Sequence, residues 1–107
     1  MAETEEARRT GLMHRRHLDA DHGMLFAYPH ARLVHMWMKD THIALDMLFL
    51  SDAPHPIIRH IHHHARPHDR TPISSRYPVR YILEIPSGNA KNHGFSVGDH
   101  VTIDCDE

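Results

Sequence analysis

The chain has a single cysteine, Cys105. It can form no internal disulfide, and near the C-terminus it reads as an inert or surface thiol. No apolar run approaches the roughly 18 residues that a membrane-spanning helix needs. The opening MAETEEARRT has acidic residues where a secretory signal has a basic end and an apolar core, so no export signal is visible. Neither sign of charge dominates: 12 Lys and Arg face 14 Asp and Glu, a formal net charge of -2. That balance gives no electrostatic footprint for nucleic acid. There is no internal repeat, low-complexity linker or shift in composition. The 107 residues fit one small domain, 1–107, with a single core.

Punctuation is present instead. Seven prolines and five glycines in so short a chain favour turns and short elements. Residues 3–13, ETEEARRTGLM, read as a short helix, with Glu in the first turn, Arg in the last and Gly11 to end it. MLFAY reads as a buried strand ending at Pro29. LVHMWMK (33–39) and IALDMLFL (43–50) read as two further strands, and the short link between them suits a hairpin. IIRHIHHH reads as a strand and ARPHDRTPISSRYP as a long irregular loop. VRYILEI (79–85) is another strand, PSGNAKNHG can carry one helical turn, and HVTIDC is a final strand. Short strands with little helix predict a mostly β domain, a small antiparallel barrel or sandwich with one or two short helices.

Two features invite chemistry. The first is Asp46, the one charge on an otherwise apolar strand face with Ala44, Leu48 and Leu50. A buried carboxylate must be paired or hydrogen-bonded, because leaving it bare costs several kcal/mol. Lys39, Arg80 or the backbone amides of the Lys39-Asp40-Thr41 turn could satisfy it. In one reading Asp46 pins a turn. In the other, Trp37, Lys39, Asp40, Thr41 and Asp46 line a pocket for a small polar ligand, with Arg80 and Glu84 of the VRYILEI strand behind them.

The second is histidine, of which there are 14. Protonating all of them would move the formal charge from -2 to about +12. His60, His62 and His64 alternate along one strand and would project to one side. Two imidazoles at that spacing can share a transition metal such as zinc, with His68, Asp69 or a distant residue as a third ligand. The competing reading is a solvated His-rich surface. The methionines and aromatics Met13, Met24, Met36, Met38, Met47, Phe26, Trp37 and Phe49 read as core. No serine lies in a strand–turn–helix elbow, and PSGNAKNHG lacks phosphate-loop spacing.

The order of five motifs resembles the prokaryotic family called domain of unknown function 192. They are Gly11-Leu12-Met13 with Arg15 or Arg16, Gly23-Met24-Leu25-Phe26, Trp37-Met38-Lys39 with Thr41, Leu45-Asp46 followed by LFL, and Tyr81 to Pro86 with Gly88 and Gly98-Asp99. They run from about residue 6 to about residue 101. The resemblance implies a small, mostly antiparallel barrel or sandwich; many relatives look exported or membrane-anchored, and no activity is attached to the family. The chain departs from the pattern at Asp40 (usually Asn), Ala44 (usually Pro), and His14 and His35 (usually aromatic). Relatives also carry a strand before the first helix, where only Met1 to Glu3 stand here. An edge left open there would invite a homodimer. Three expectations follow: a non-enzymatic binding or accessory domain with a small-ligand pocket, a metal-binding protein using the histidine strand, and a self-associating structural domain.

Overall fold

The computed structural model describes residues 1–103. In chain order its elements are α1 (Glu5–Thr10), β1 (Met24–Arg32), β2 (His35–Met36), β3 (Leu45–Leu50), β4 (Ile58–Ala65), β5 (Ile73–Ser74), β6 (Val79–Pro86) and α2 (Asn89–Asn92). Four strands form one antiparallel sheet in the order β1-β6-β3-β4, while β2 and β5 pair with each other. The sheet is open, with β1 and β4 at its edges. The fold is mostly β and sandwich-like rather than a closed barrel.

Every residue of β3 is buried. This central strand is covered on both faces, which is why its sequence is apolar almost throughout. One face packs Phe26, Met47, Phe49 and Ile82 beneath the α1 region and the β2–β5 pair, with Leu12, Val34 and Met38 closing over them. The other packs Leu48, Leu50 and Ile85 against Ala90 of α2 and the stretch carrying Val101 and Ile103.

The α1 helix is short but well terminated. Thr4 Oγ1 accepts from the Ala7 amide, Glu5 and Glu6 occupy the first turn, and Arg8 and Arg9 the last. Gly11 ends it at φ 48°, where a Cβ would come within 3.0 Å of the Phe26 ring. Strand β1 runs past Pro29 rather than ending there. The register shifts between Ala27 and Arg32, and that irregularity tolerates a residue without an amide donor.

The expected hairpin between residues 33–39 and 43–50 does not form. Asp40 turns the chain at φ 54°, and β2 pairs instead with β5, which lies inside the segment read as irregular loop. Met38 N–H donates to the Asp69 carbonyl and Ser75 N–H to that of Val34, both at 2.8 Å. Ser75 is fully buried; its Oγ accepts from Val34 N–H and donates to the Tyr77 carbonyl. These bonds draw residues 33–39 away from β3, which pairs with β6 and β4.

Both ends also differ from expectation. Ala2 makes a parallel bridge to Phe26, exchanging hydrogen bonds with Leu25 and Ala27 at 2.8 and 2.9 Å. The β1 edge is therefore occupied at that point. The HVTIDC segment contributes one bridge, His100 to Ile57, rather than a strand. Asp104 and Cys105 lie outside the described residues. No helix among the described residues is long and apolar enough to cross a membrane.

Candidate functional site

Asp46 is completely buried. Its Oδ1 accepts from the His64 amide, and its Oδ2 from the amides of Gly88 and Ala90, each at 3.0 Å. These donors come from the end of β4 and from the start of α2, not from the Lys39-Asp40-Thr41 turn. Neither Lys39 nor Arg80 bonds to it. Arg80 donates to the Tyr28 carbonyl at 2.9 Å and pairs with Asp52 at 3.0 Å, which holds the Asp52 carboxyl below its usual range. Strand alternation places Asp46 on the α2 face of the sheet, opposite the face that Phe26 and Phe49 share.

The opposite face carries another buried carboxylate. Glu84 lies between Met24 of β1 and Met47 of β3 in the sheet register and is 4% exposed. No described residue hydrogen-bonds or ion-pairs with its carboxyl group. Burial alone pushes its pKa up to about 8, so the acid is mostly protonated at neutral pH.

Glu84 lines a cavity of about 400 Å³ between α1 and the sheet. Phe26, Leu12 and Met36 give its wall apolar surface, and Thr41 is buried beside them. Arg8, Arg9, Tyr28, Arg32, His35 and Trp37 supply its polar and aromatic lining. The Arg8 and Arg32 guanidinium carbons sit 4.6 and 5.3 Å from the Tyr28 ring centroid. Arg8 is anchored by donating to the carbonyls of Glu3 and Ala27. Desolvation raises the Tyr28 phenol above its usual pKa, opposed by the two arginines. Arg9 pairs with Glu5 at 3.2 Å, while Arg8 and Arg32 have no carboxylate partner among the described residues.

Of the residues singled out from the sequence, Trp37, Thr41 and Glu84 meet at this cavity. Trp37 is 46% exposed at its mouth rather than in the core, and Lys39 Nζ lies 5.4 Å from the Trp37 ring centroid. Asp40 contributes the turn and accepts the His14 amide on its carbonyl. Asp46 and Arg80 lie away from the cavity. The sequence reading did not name Arg8, Tyr28 and Arg32. Glu84, placed behind the pocket from the sequence, is itself a buried charge in its wall.

His60, His62, His63 and His64 line one cavity with Asp69 and Arg76. His62 pairs with Met47 and Ala65 with Leu45, so β4 carries one extra residue there, and His64 takes φ 55°. This bulge breaks the alternation. The His60 ring stacks on Phe49, whereas His64 Nδ1 bonds Ser87 Oγ near Asp46. His68 packs edge-on to His42. Desolvation and then the Arg76 charge lower the pKa of both His60 and His62. Among the described residues, the group of metal-ligating types whose donor atoms lie within 4.8 Å of one another is Asp19, Asp21 and His22, all exposed.

Two solved structures share the fold. A protein from Sinorhizobium meliloti 1021, described as a candidate transcription regulator, is 46% identical, with a TM-score of 0.88 over 92% of this chain and 75% of its own. A protein of unknown function from Novosphingobium aromaticivorans DSM 12444 is 32% identical, with a TM-score of 0.87 over 92% of this chain and 69% of its own. No curated protein matches the chain. The family model for domain of unknown function 192, described as an uncharacterized ACR, matches residues 1–103. The chain belongs to that family.

Proposed function

We propose that this protein is a non-enzymatic binding or accessory domain whose ligand occupies the cavity between α1 and the sheet. The observation that carries the reading is Glu84. Its carboxyl lines the cavity with no protein partner among the described residues, and ionisable groups shifted by burial concentrate at sites selected for binding or chemistry. The cavity volume of about 400 Å³ lies in the range of small-molecule sites. Trp37, Thr41 and Glu84 belong to the site; Lys39 and Asp40 support its rim; Asp46 and Arg80 hold the scaffold.

Metal binding by His60, His62, His64 and His68 has less behind it, because among the described residues no three of their ring nitrogens lie within 4.8 Å of one another. Self-association has the partly open β1 edge in its favour, reduced by the pairing at Ala2. A role in transcription regulation, the description given to the Sinorhizobium neighbour, draws no support from helices of six and four residues, too short for a recognition helix in the major groove.

Amide-resolved NMR with a panel of cationic, neutral and anionic aromatic fragments tests the pocket. Shifts should cluster on Gly11, Phe26, Trp37, Thr41 and Glu84. Shifts confined to the surroundings of Asp46 or His60, or none from any fragment, would overturn it.

A further inference from the structure

Resting on that pocket reading, we infer that the cavity takes a small organic oxyanion, a carboxylate or phosphate on a flat apolar body. The charges decide the class of ligand. From α1 the cavity receives Glu5, Arg8 and Arg9, and the Glu5–Arg9 pair largely cancels. From β1 it receives Tyr28 and Arg32, from β2 His35, and from β6 Glu84. The Tyr28 phenol, raised from its usual value, stays neutral. Two guanidinium groups without a carboxylate partner among the described residues then line the same cavity as Glu84. A cation entering this space would meet Arg8 and Arg32. An oxyanion would find two fork-shaped donors suited to carboxylate or phosphate. The protonated Glu84 would add an O–H donor.

The shape argues for a flat body. Both guanidinium groups lie against the Tyr28 ring, and Phe26 and Trp37 offer further aromatic surface. The proton follows from electrostatics. An anion beside Glu84 and an ionised Glu84 repel each other, so binding the anion favours the protonated acid. Affinity should therefore fall as pH rises through the range where Glu84 loses its proton.

Trp37, the single tryptophan, stands at the cavity mouth and serves as a native fluorescence reporter. Titrations would use benzoate, phenyl phosphate, inorganic phosphate and benzylammonium. Benzoate or phenyl phosphate should saturate the signal, and which of the two binds more tightly identifies the headgroup. Benzylammonium should bind about ten-fold more weakly or worse, because it faces like charges. Between about pH 7 and about pH 9.5, above the range where an imidazole ordinarily gains charge, affinity should fall about ten-fold or more. Glu84→Gln, which keeps a neutral side chain of the same shape, should bind with a flat profile over that range. Arg32→Gln, at an exposed position, should weaken binding about ten-fold.

Equal or tighter binding of benzylammonium would overturn the charge assignment and leave the pocket standing. Inorganic phosphate binding as well as the aromatic anions would overturn the flat body. A flat pH profile in the unaltered protein would overturn the role of the Glu84 proton, whether or not Glu84→Gln folds. Silence from every probe in both fluorescence and NMR would remove the pocket itself.

Discussion

At the scale of single residues, Asp46 and Glu84 show two ways to bury a carboxylate. Asp46 meets three backbone amides on two oxygens, all at 3.0 Å. Glu84 meets none. The first arrangement offsets desolvation with charge-assisted hydrogen bonds, whereas the second has no protein partner among the described residues and opens onto the cavity. Replacing Asp46 with Asn puts an amide N–H against an amide donor whichever way the side chain turns. We expect Asp46→Asn to lose about 2–4 kcal/mol in urea unfolding, by the cost of an unsatisfied buried donor, while binding of the probes at the cavity is unchanged in the molecules that remain folded. That a charge inside an apolar run needs a partner was legible from sequence. The identity of the partners was not, because they are backbone amides that carry no residue signature and lie 18, 42 and 44 residues away.

At the scale of elements, the six-strand reading was legible where apolar content is strong, as in β1, β3 and β6, and failed where pairing decides. The β2–β5 pair is two residues long on each side and rests on bonds to Asp69 and Ser75. No periodicity could announce it. The β4 bulge likewise has no signal in a run of histidines, yet it decides which faces they take. The β1–β6 pairing carries its own constraint at Gly23. A Cβ there would lie 2.6 Å from the Glu84 carbonyl oxygen, a backbone atom that moves only with its strand. Gly23→Ala should therefore cost about 1–3 kcal/mol through overpacking and strand displacement. Thermal unfolding of that variant would check it; an unchanged midpoint would mean that the two strands separate freely.

At the scale of the whole molecule, the ionisable groups pull stability in opposite directions with pH. The Glu84 pKa is raised to about 8, so the folded state holds a proton that the unfolded state releases from about pH 4.5 upward. Its contribution is fully present in acid and is lost as pH climbs toward about 8. His42, His60 and His62 are lowered, first by desolvation, so the unfolded state takes up their protons more readily. Stability therefore falls as pH drops through their ordinary value of about 6.5. Below about pH 4, loss of the depressed Asp52 and Asp69 carboxylates removes more, as the positive charge of 14 histidines accumulates. We expect a maximum in mildly acidic to neutral solution. Glu84→Gln should flatten the alkaline side and add about 2–4 kcal/mol near pH 8, since each unit of pKa shift is about 1.4 kcal/mol. Urea midpoints across pH would show both limbs; an alkaline limb that survives in the Gln variant would rule out Glu84 as its source.

The Asp46 bonds have a further consequence, in time rather than in energy. They tie the end of β4 to the start of α2 across long intervening loops, and closing such loops early costs entropy before any contact repays it. The carboxylate can collect its three donors only after β3, β4 and β6 stand side by side. It should act as a latch that closes after the rate-limiting step of folding, so that removing it leaves the refolding rate nearly intact and shortens the lifetime of the folded state.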